Sequence, residues 1–441
     1  MKVVVIGTGH VGLVTCVALA HLGHQVAGTD SDGEKIALLQ NGIPPFYEPG
    51  LEEHLSEGTA SGRLSFHPEI NDVVPGAEVV IISVGTPPRV DGEASLFAVE
   101  RSAREIARHA TRPILVAEKS TVPAGTAVRL RAIIERERPD LEFDVVSNPE
   151  FLREGRAIQD TLEPDRILVG AETPGAFEAM RRLYAPLIAN GVPLIETDVA
   201  TAELAKHACN AFLALKISFA NALARICERA GADVVKVADT MGSDPRIGRA
   251  FLDAGLGYGG FCFPKDLSAF ERLADKLGWS WPMLTEIARI NDDAVGAVAD
   301  KVVNALWNLE DKRVALLGLA FKPDTDDVRF APALALAKLL LSEGAHVVGY
   351  DPKASANAKA ELPDLEISLD PYEAAAGSHC VVLCTEWNEF RALDLPRLKG
   401  ALAFPIVIDG RNLFDPETMR AHGFTYYPTG RQPVLPDRAA T

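Results

Sequence analysis

The chain has 441 residues, more than one ordinary domain holds, so two or three domains are expected. Its composition, 47% apolar and 24% charged, is that of a globular protein. With 44 basic against 61 acidic side chains the formal charge is −17, which argues against general nucleic-acid or acidic-membrane binding but not against a small anion in a local basic pocket.

The opening MKVVVIGTGHVG carries one lysine and breaks on glycine, unlike a secretory leader, and no apolar run reaches the ~18 residues of a membrane span. The six cysteines (Cys16, Cys209, Cys227, Cys262, Cys380 and Cys384) are sparse and form no CxxC. They argue against a disulfide scaffold or a metal site and for a reducing cytoplasm.

KVVVIGTGHVG reads as a strand running into Gly7, Gly9 and Gly12; LVTCVALAHLG reads as a helix, and HQVAGTD as a second strand ending in Asp30. The glycines permit a tight turn and close approach to a pyrophosphate, and the helix N-terminus offers N–H groups to that anion. Asp30, 18 residues after Gly12, suits the ribose hydroxyls of NAD and would repel the 2′-phosphate of NADP. Further strands end in polar residues: AEVVIISVGTP in Gly85, Thr86 and Pro87, ILVAEKSTVPAGT in Ser120 and Thr121, FDVVSNPEFLREG in Asn148, Pro149 and Glu150. Such strand ends line the ligand crevice of a parallel sheet. RILVGAE and VPLIET add two more strands.

From Asp198 to about Ala230 the pattern becomes that of one long helix, with Glu203, Lys206 and Asn210 on one face. That face either stabilises developing negative charge or is a solvated polar stripe. The helix connects two domains and is a candidate subunit interface. Arg246 precedes a glycine-dense loop, with Gly255, Gly257, Gly259 and Gly260, whose backbone N–H groups suit a ligand. Pro264 suits a first helical position, which places Cys262 just before a helix N-terminus, where thiolate is favoured. Cys262 is then either a reactive thiol or a small apolar side chain buried in a turn. Lys265 adds positive charge beside it, and Asp266 suits positioning of water or acid–base work.

KRVALLGLAFKPDTDDVR begins another strand and polar loop, AHVVGYDP echoes HQVAGTD, and HCVVLCTEW and FPIVIDGRN follow. This region reads as half of a second nucleotide-binding sheet, with Lys322 and Arg411 at strand ends and Cys380 and Cys384 in the core. Gly318 stands alone without GxGxxG, so a substrate carrying its own nucleotide fits better than a second dinucleotide. PVLPDRAAT, beyond Arg431, reads as a frayed end.

GTGHVGL, VGTP, KSTVPAGT, NPEFLREG, the helix with Glu203, Lys206 and Asn210, GYGGFCFPKDL and LGLAFKPDTDDVR follow one another along nearly the whole chain. In order and spacing the chain resembles the UDP-glucose/GDP-mannose dehydrogenase family. The resemblance implies an α/β protein: a Rossmann-type NAD-binding domain over 1–197, a central helical and dimerisation region with the cysteine loop over 198–310, and a Rossmann-like UDP-sugar-binding domain over 311–441. It implies oxidation of UDP-glucose at C6 to UDP-glucuronate by two NAD and water, without metal, through a Cys262 thiohemiacetal and thioester. Lys206 and Asn210 would stabilise oxyanions and hold water, Asp266 would help place that water, and Glu150 would act as general base. Thr121 and Glu154 would lie around the nicotinamide and the catalytic water. Gly7, Gly9, His10, Val11, Gly12, Asp30, Lys35, Gly85, Thr86, Lys265 and Arg329 complete the implied cofactor set. Glu150, Phe151, Leu152, Arg153, Lys206, Asn210, Phe251, Gly255, Gly259, Phe321, Lys322 and Arg411 form the implied substrate set, with Arg246 reaching across the interface of a homodimer or larger assembly. Two positions depart from the family: Phe261 stands where serine usually precedes the cysteine, and Arg329-Phe330-Ala331-Pro332 stands where RESP is common. GDP-mannose or a UDP-N-acetyl-hexosamine is the alternative substrate, and a nucleotide-sugar-binding regulatory protein the alternative outside enzymes.

Overall fold

The computed structural model describes residues 1–435. The chain forms two compact units, Met1–Cys209 with Ser268–Trp279, and Asn210–Leu267 with the described residues 280–435.

The first unit is built on eight strands: β1 (Lys2–Ile6), β2 (Gln25–Thr29), β3 (Leu64–His67), β4 (Val79–Ile82), β5 (Ile114–Glu118), β6 (Phe143–Ser147), β7 (Ile167–Gly170) and β8 (Leu194–Thr197). Their order is β3-β2-β1-β4-β5-β6-β7-β8. All neighbours are parallel except β6 and β7, which meet antiparallel at Ser147 and Gly170. KVVVI, VVII and ILVAE are near-continuous apolar runs because both faces of a parallel sheet are covered. Side chains alternate between two cores: Val3 and Val5 pack with Leu13, Val17 and Leu39, whereas Val4 and Ile6 pack with Val99, Ile106 and Leu130.

The second unit holds β9 (Arg313–Leu317), β10 (His346–Tyr350), β11 (Glu366–Ile367), β12 (Cys380–Leu383), β13 (Ile406–Asp409) and β14 (Thr425–Pro428), ordered β11-β10-β9-β12-β13-β14 and all parallel. This is a complete doubly wound sheet, not half of one. The outer strands escape a sequence reading because β11 has two residues and β14 ends in proline, as an edge strand allows. Cys380 and Cys384 are buried in its core, as expected. The chain end is not frayed at Val434, which is buried and bridges antiparallel to Tyr426; residues 436–441 lie outside the described residues. Among the described residues no helix is long and apolar enough to cross a membrane.

The helix Val199–Ala230 has 32 residues, and the division between the units falls inside it. The helix after the glycine-dense loop runs from Cys262 to Lys276. Cys262 is thus its first residue, not two residues ahead of it, and Pro264 is its third. Proline is tolerated there because the first four N–H groups of a helix have no intrahelical acceptor.

Candidate functional site

In the first unit, Gly7 leaves β1 with a φ of +94°, a conformation that side chains resist. Its N–H donates to Thr29 O (2.7 Å), locking the turn beside β2. A Cβ on Gly12 would lie 1.8 Å from Gly7 O, so the first helix approaches the turn closely only because position 12 is glycine. A Cβ on Gly9 or Gly85, by contrast, would meet nothing within 4 Å. The helix His10–His21 starts after Gly9 without a side-chain cap. Its positive end therefore faces open space, as a pyrophosphate requires.

Just beyond β2, Asp30 Oδ2 accepts from Thr8 N (2.8 Å), Thr8 Oγ1 (3.1 Å) and Lys35 Nζ (3.1 Å), and Oδ1 accepts from Asp32 N (3.0 Å). Burial pushes this carboxyl up, but the bonds from Thr8, Asp32 and Lys35 outweigh it and hold the group below the usual range. A charged carboxylate at the end of the second strand is what two ribose hydroxyls need. Thr86 Oγ1 donates to Thr121 O (3.1 Å), joining the loops after β4 and β5. These residues fit NAD.

The loop after β6 is fastened repeatedly. Lys206 Nζ reaches Glu150 Oε1 (2.9 Å), and Leu152 N donates to Glu150 Oε2 (2.7 Å). Lys206 is only 4% exposed. The solvated-stripe reading is therefore wrong, since Glu203, Lys206 and Asn210 are all buried. Glu203 is a structural cap, accepting from Gly125 N (2.6 Å) and Ala127 N (2.8 Å) at the start of the helix Thr126–Glu137. The Phe151 ring has two cations near it, Arg166 at 3.9 Å and Lys206 at 5.3 Å from its centroid. The Arg153 guanidinium is bidentate to Asp160 (2.8 and 2.7 Å) in the short helix Ala157–Leu162 that follows the loop. A cavity of about 180 Å³ is lined by Glu150, Phe151, Arg153, Arg166 and Lys119 among others.

In the second unit, Asp266 is fully buried between two donors: Asn210 Nδ2 on Oδ2 (2.6 Å) and Lys265 Nζ on Oδ1 (2.6 Å). Cys262, half-buried, lies one helical turn before Asp266 and therefore on the same face. Lys265, expected at the cofactor, directs its ammonium to this carboxylate. The Phe261 ring has Arg329 at 4.7 Å and Lys265 at 5.8 Å, and Arg329 is itself bidentate to Asp327.

The glycine-dense loop corrects an expectation. Gly255 N donates to Asn221 Oδ1 (2.7 Å), Tyr258 N to Asn291 Oδ1 (2.7 Å) and Gly260 N to Arg329 O (3.0 Å). These three donors are spent inside the fold. The glycines serve close packing instead: a Cβ on Gly259 would lie 2.3 Å from Phe330 O, and one on Gly260 2.8 Å from the Phe321 ring. Phe251, left-handed at φ +65°, has its ring 6.4 Å from that of Phe263. Lys322 lies 5.4 Å from the Phe321 centroid, and Arg411 donates to Cys384 O (2.8 Å) and Gly257 O (3.3 Å). Arg246 pairs with its neighbour Asp244 and is 87% exposed on its side chain.

Three segments match models of one family in chain order: its NAD binding domain over residues 1–188, its central domain over 200–293 and its UDP binding domain over 315–416. The chain belongs to the UDP-glucose/GDP-mannose dehydrogenase family. It is an NAD-dependent oxidoreductase of that family. It is 45% identical to the UDP-glucose 6-dehydrogenase of Rhizobium meliloti (strain 1021), covering 98% of this chain and all of that one. It is 41% identical to the UDP-glucose 6-dehydrogenase YwqF of Bacillus subtilis (strain 168), over the full length of both. The solved UDP-glucose dehydrogenase of the hyperthermophilic archaeon Pyrobaculum islandicum superposes with a TM-score of 0.91 at 38% identity, over 98% of this chain and 97% of that one.

Sequence reasoning missed Arg166, which nothing local distinguishes, and Glu48, a buried acid in PFYEPG whose only local signal is its place between proline-marked turns.

Proposed function

We propose that the protein oxidises C6 of UDP-glucose to the carboxylate of UDP-glucuronate, consuming two NAD and one water. NAD, where held by the glycine turn and Asp30, would supply the acceptor for both hydrides, and the hydroxyl proton lost in each oxidation passes to water. After the first, Cys262 Sγ adds to the aldehyde carbon as thiolate, and the aldehyde oxygen takes a proton to complete the thiohemiacetal. The carbon is then tetrahedral and carries a hydrogen that departs as the second hydride, leaving a thioester on Cys262. Water adds to that carbonyl, the C–S bond breaks, and the thiolate is regenerated as the acid leaves. The Lys206 ammonium and the Asn210 amide donate to the oxyanions, Asp266 helps place the water, and Glu150 takes the water's proton.

The observation that carries this reading is Cys262 at the first position of a helix, one turn from an Asp266 carboxylate held by Asn210 and Lys265. The positive end of a helix favours the thiolate. Thr121 and Glu154 belong around the nicotinamide and water, and Arg153, Phe251, Phe321, Lys322 and Arg411 around the nucleotide sugar. Functionally the chain divides at 1–197, 198–310 and 311–441.

The same reading includes a homodimer or larger assembly. Phe212, Phe219 and Ile226 are exposed at seven-residue spacing on the long helix, the pattern of a partnered face. The exposed Arg246 is free of its own chain's core and would complete a neighbour's site. Six sparse cysteines without a CxxC, and soluble substrates, suit the cytoplasm.

The test is turnover with UDP-glucose, GDP-mannose and UDP-N-acetylglucosamine under excess NAD. UDP-glucose should lead in kcat/KM with two NADH per sugar, and Cys262→Ala should release almost no acid. Preference for GDP-mannose would overturn the substrate, and near-normal acid release by Cys262→Ala would overturn the covalent mechanism.

A further inference from the structure

Glu48 lies outside every group assigned above, yet it is among the most heavily bonded carboxylates of the first unit. Its side chain is fully buried. Oε2 accepts from His10 Nε2 (2.8 Å) and from Gly155 N (2.7 Å), and Oε1 accepts from Ala157 N (2.7 Å). Its donors come from two places far apart in sequence. His10 is the first residue of the helix that follows the glycine turn. Gly155 immediately follows Glu154, and Ala157 opens the helix Ala157–Leu162.

The loop that carries Glu48 also fixes the imidazole plane. Phe46 stacks on His10 with centroids 4.5 Å apart and an interplanar angle of 22°. An ionised carboxylate only accepts, so Nε2 of His10 carries the proton, and the ring is set in both tilt and tautomer. At the other end, Gly155 adopts a φ of +79°, and its N–H points at Glu48. The direction in which Glu154 leaves the backbone is therefore tied to the same carboxylate that holds His10.

We propose that Glu48 is a positioning residue that holds the dinucleotide loop, through His10, and the Glu154 segment, through Gly155 and Ala157, in one fixed register. This rests on the reading above, in which the glycine turn seats NAD and Glu154 works at the nicotinamide and water. A buried carboxylate that satisfies three donors from two functional segments makes the geometry of one segment a condition of the other. Glutamine at this position keeps the size but turns one acceptor into a donor. It must then face an N–H with an N–H.

The experiment uses the full chain and compares wild type, Glu48→Gln, His10→Ala and the double variant. NAD affinity is read by calorimetry in the absence of sugar nucleotide, with kcat and KM for UDP-glucose and the unfolding temperature measured in parallel. Glu48→Gln should weaken NAD binding about tenfold and lower kcat about tenfold, with KM for UDP-glucose within about twofold. His10→Ala should weaken NAD binding by a similar factor. The double variant should bind NAD no more weakly than either single one, because the two changes break one linkage. Its kcat should follow that of Glu48→Gln. A Glu48→Gln protein that melts earlier but keeps both kcat and NAD affinity has lost only a structural bond, and the proposal fails. Fully additive losses in NAD affinity would overturn it too. Should Glu48→Gln not fold, His10→Gln decides. Its amide still donates to Glu48, so it should bind NAD more tightly than His10→Ala, and equal affinities would sink the proposal. Two NADH per UDP-glucose from the wild type, with these variants unchanged, would leave the assigned activity intact and remove only the role of Glu48.

Discussion

In the first sheet Gly7 follows β1 at a φ of +94° and donates its N–H to Thr29 O at 2.7 Å; in the second, Gly318 follows β9 at a φ of +94° and donates to Tyr350 O at 2.8 Å. The correspondence continues: Thr8 N donates to Asp30 Oδ2 at 2.8 Å, and Leu319 N to Asp351 Oδ2 at 2.7 Å. The turns differ in what comes next. A helix begins at His10, three residues after Gly7, whereas the helix after Gly318 begins only at Pro332. Asp351 is also spent, accepting from Leu319 N, Ala320 N, Lys353 N, Ala354 N and Trp387 Nε1. A strand–glycine–acid frame is thus a way of joining two strands. It becomes a dinucleotide seat only where a helix end follows at once and the acid keeps room on one oxygen, as Asp30 Oδ1 does with its single donor while Asp351 Oδ1 takes two.

Replacing the helix-side glycine of the first turn should show the largest effect. Gly12→Ala places a methyl 1.8 Å from Gly7 O, so the turn or the helix must move, and NAD affinity should fall by roughly two orders of magnitude. Gly318→Ala places a methyl 2.4 Å from Thr385 Cβ at positive φ, and should cost ~2–4 kcal/mol of stability with NAD affinity unchanged. Calorimetry and denaturant unfolding distinguish the two. Equal losses of NAD binding would mean that both turns serve the cofactor.

The acids come next. Asp30→Ala should weaken NAD binding about tenfold and narrow the preference over NADP, and should also lower stability, since Thr8 N and Asp32 N lose their acceptor. Asp351→Asn should leave NAD binding alone and lower stability by ~2–3 kcal/mol, since an amide nitrogen would face backbone donors. Unchanged stability of Asp351→Asn would show that the second acid is not the tie described.

A finer contrast lies at the ends of the fifth strands. Glu118 closes β5 and Asp409 closes β13, pairing with Ile82 and Leu383 in equivalent register. Both are fully buried, and burial raises both. Asp409 accepts from Arg411 N, Phe414 N and Tyr426 Oη, whereas Glu118 accepts from Ser120 N on Oε1 and leaves Oε2 without a hydrogen bond. Glu118 is pushed up to about 8 from an ordinary 4.5. A carboxyl raised on folding contributes stability that is fully present below its unfolded value and is lost as pH climbs to its folded value, by ~1.4 kcal/mol per pH unit. Glu118→Gln does not titrate. Relative to wild type it should gain ~2–4 kcal/mol between about pH 5 and about pH 9. Asp409→Asn should be destabilised throughout, because its donors require two acceptor oxygens. Parallel stability profiles for wild type and Glu118→Gln would show that Glu118 ionises freely.

What was legible in the sequence is what depends on neighbours within one turn or one strand. Gly7, Gly12 and Asp30 declared themselves by spacing, because sterics and strand rise fix that spacing. The face shared by Lys206 and Asn210 was legible from helical period, but its burial was not, since that depends on the loop after β6 packing against it. Glu48 was invisible for the same reason, as its donors lie 38, 107 and 109 residues away. The glycine-dense loop misled because open turns and close packing both demand glycine. The start of the Cys262 helix was misplaced by two residues because proline is permitted anywhere in a first turn.

The long helix carries four buried polar side chains in eight residues: Glu203 capping another helix, Lys206 on Glu150, His207 on Val122 O, and Asn210 on Asp266. Each residue added to a helix turns everything beyond it by about 100°. A single insertion after Glu203 would keep the cap and swing both Lys206 and Asn210 from their carboxylates, although every side chain remained in the chain. This segment can therefore vary in composition on its outer face across descendants of this gene, while its length is held by angle, as the teeth of a key are held by their spacing along the blade.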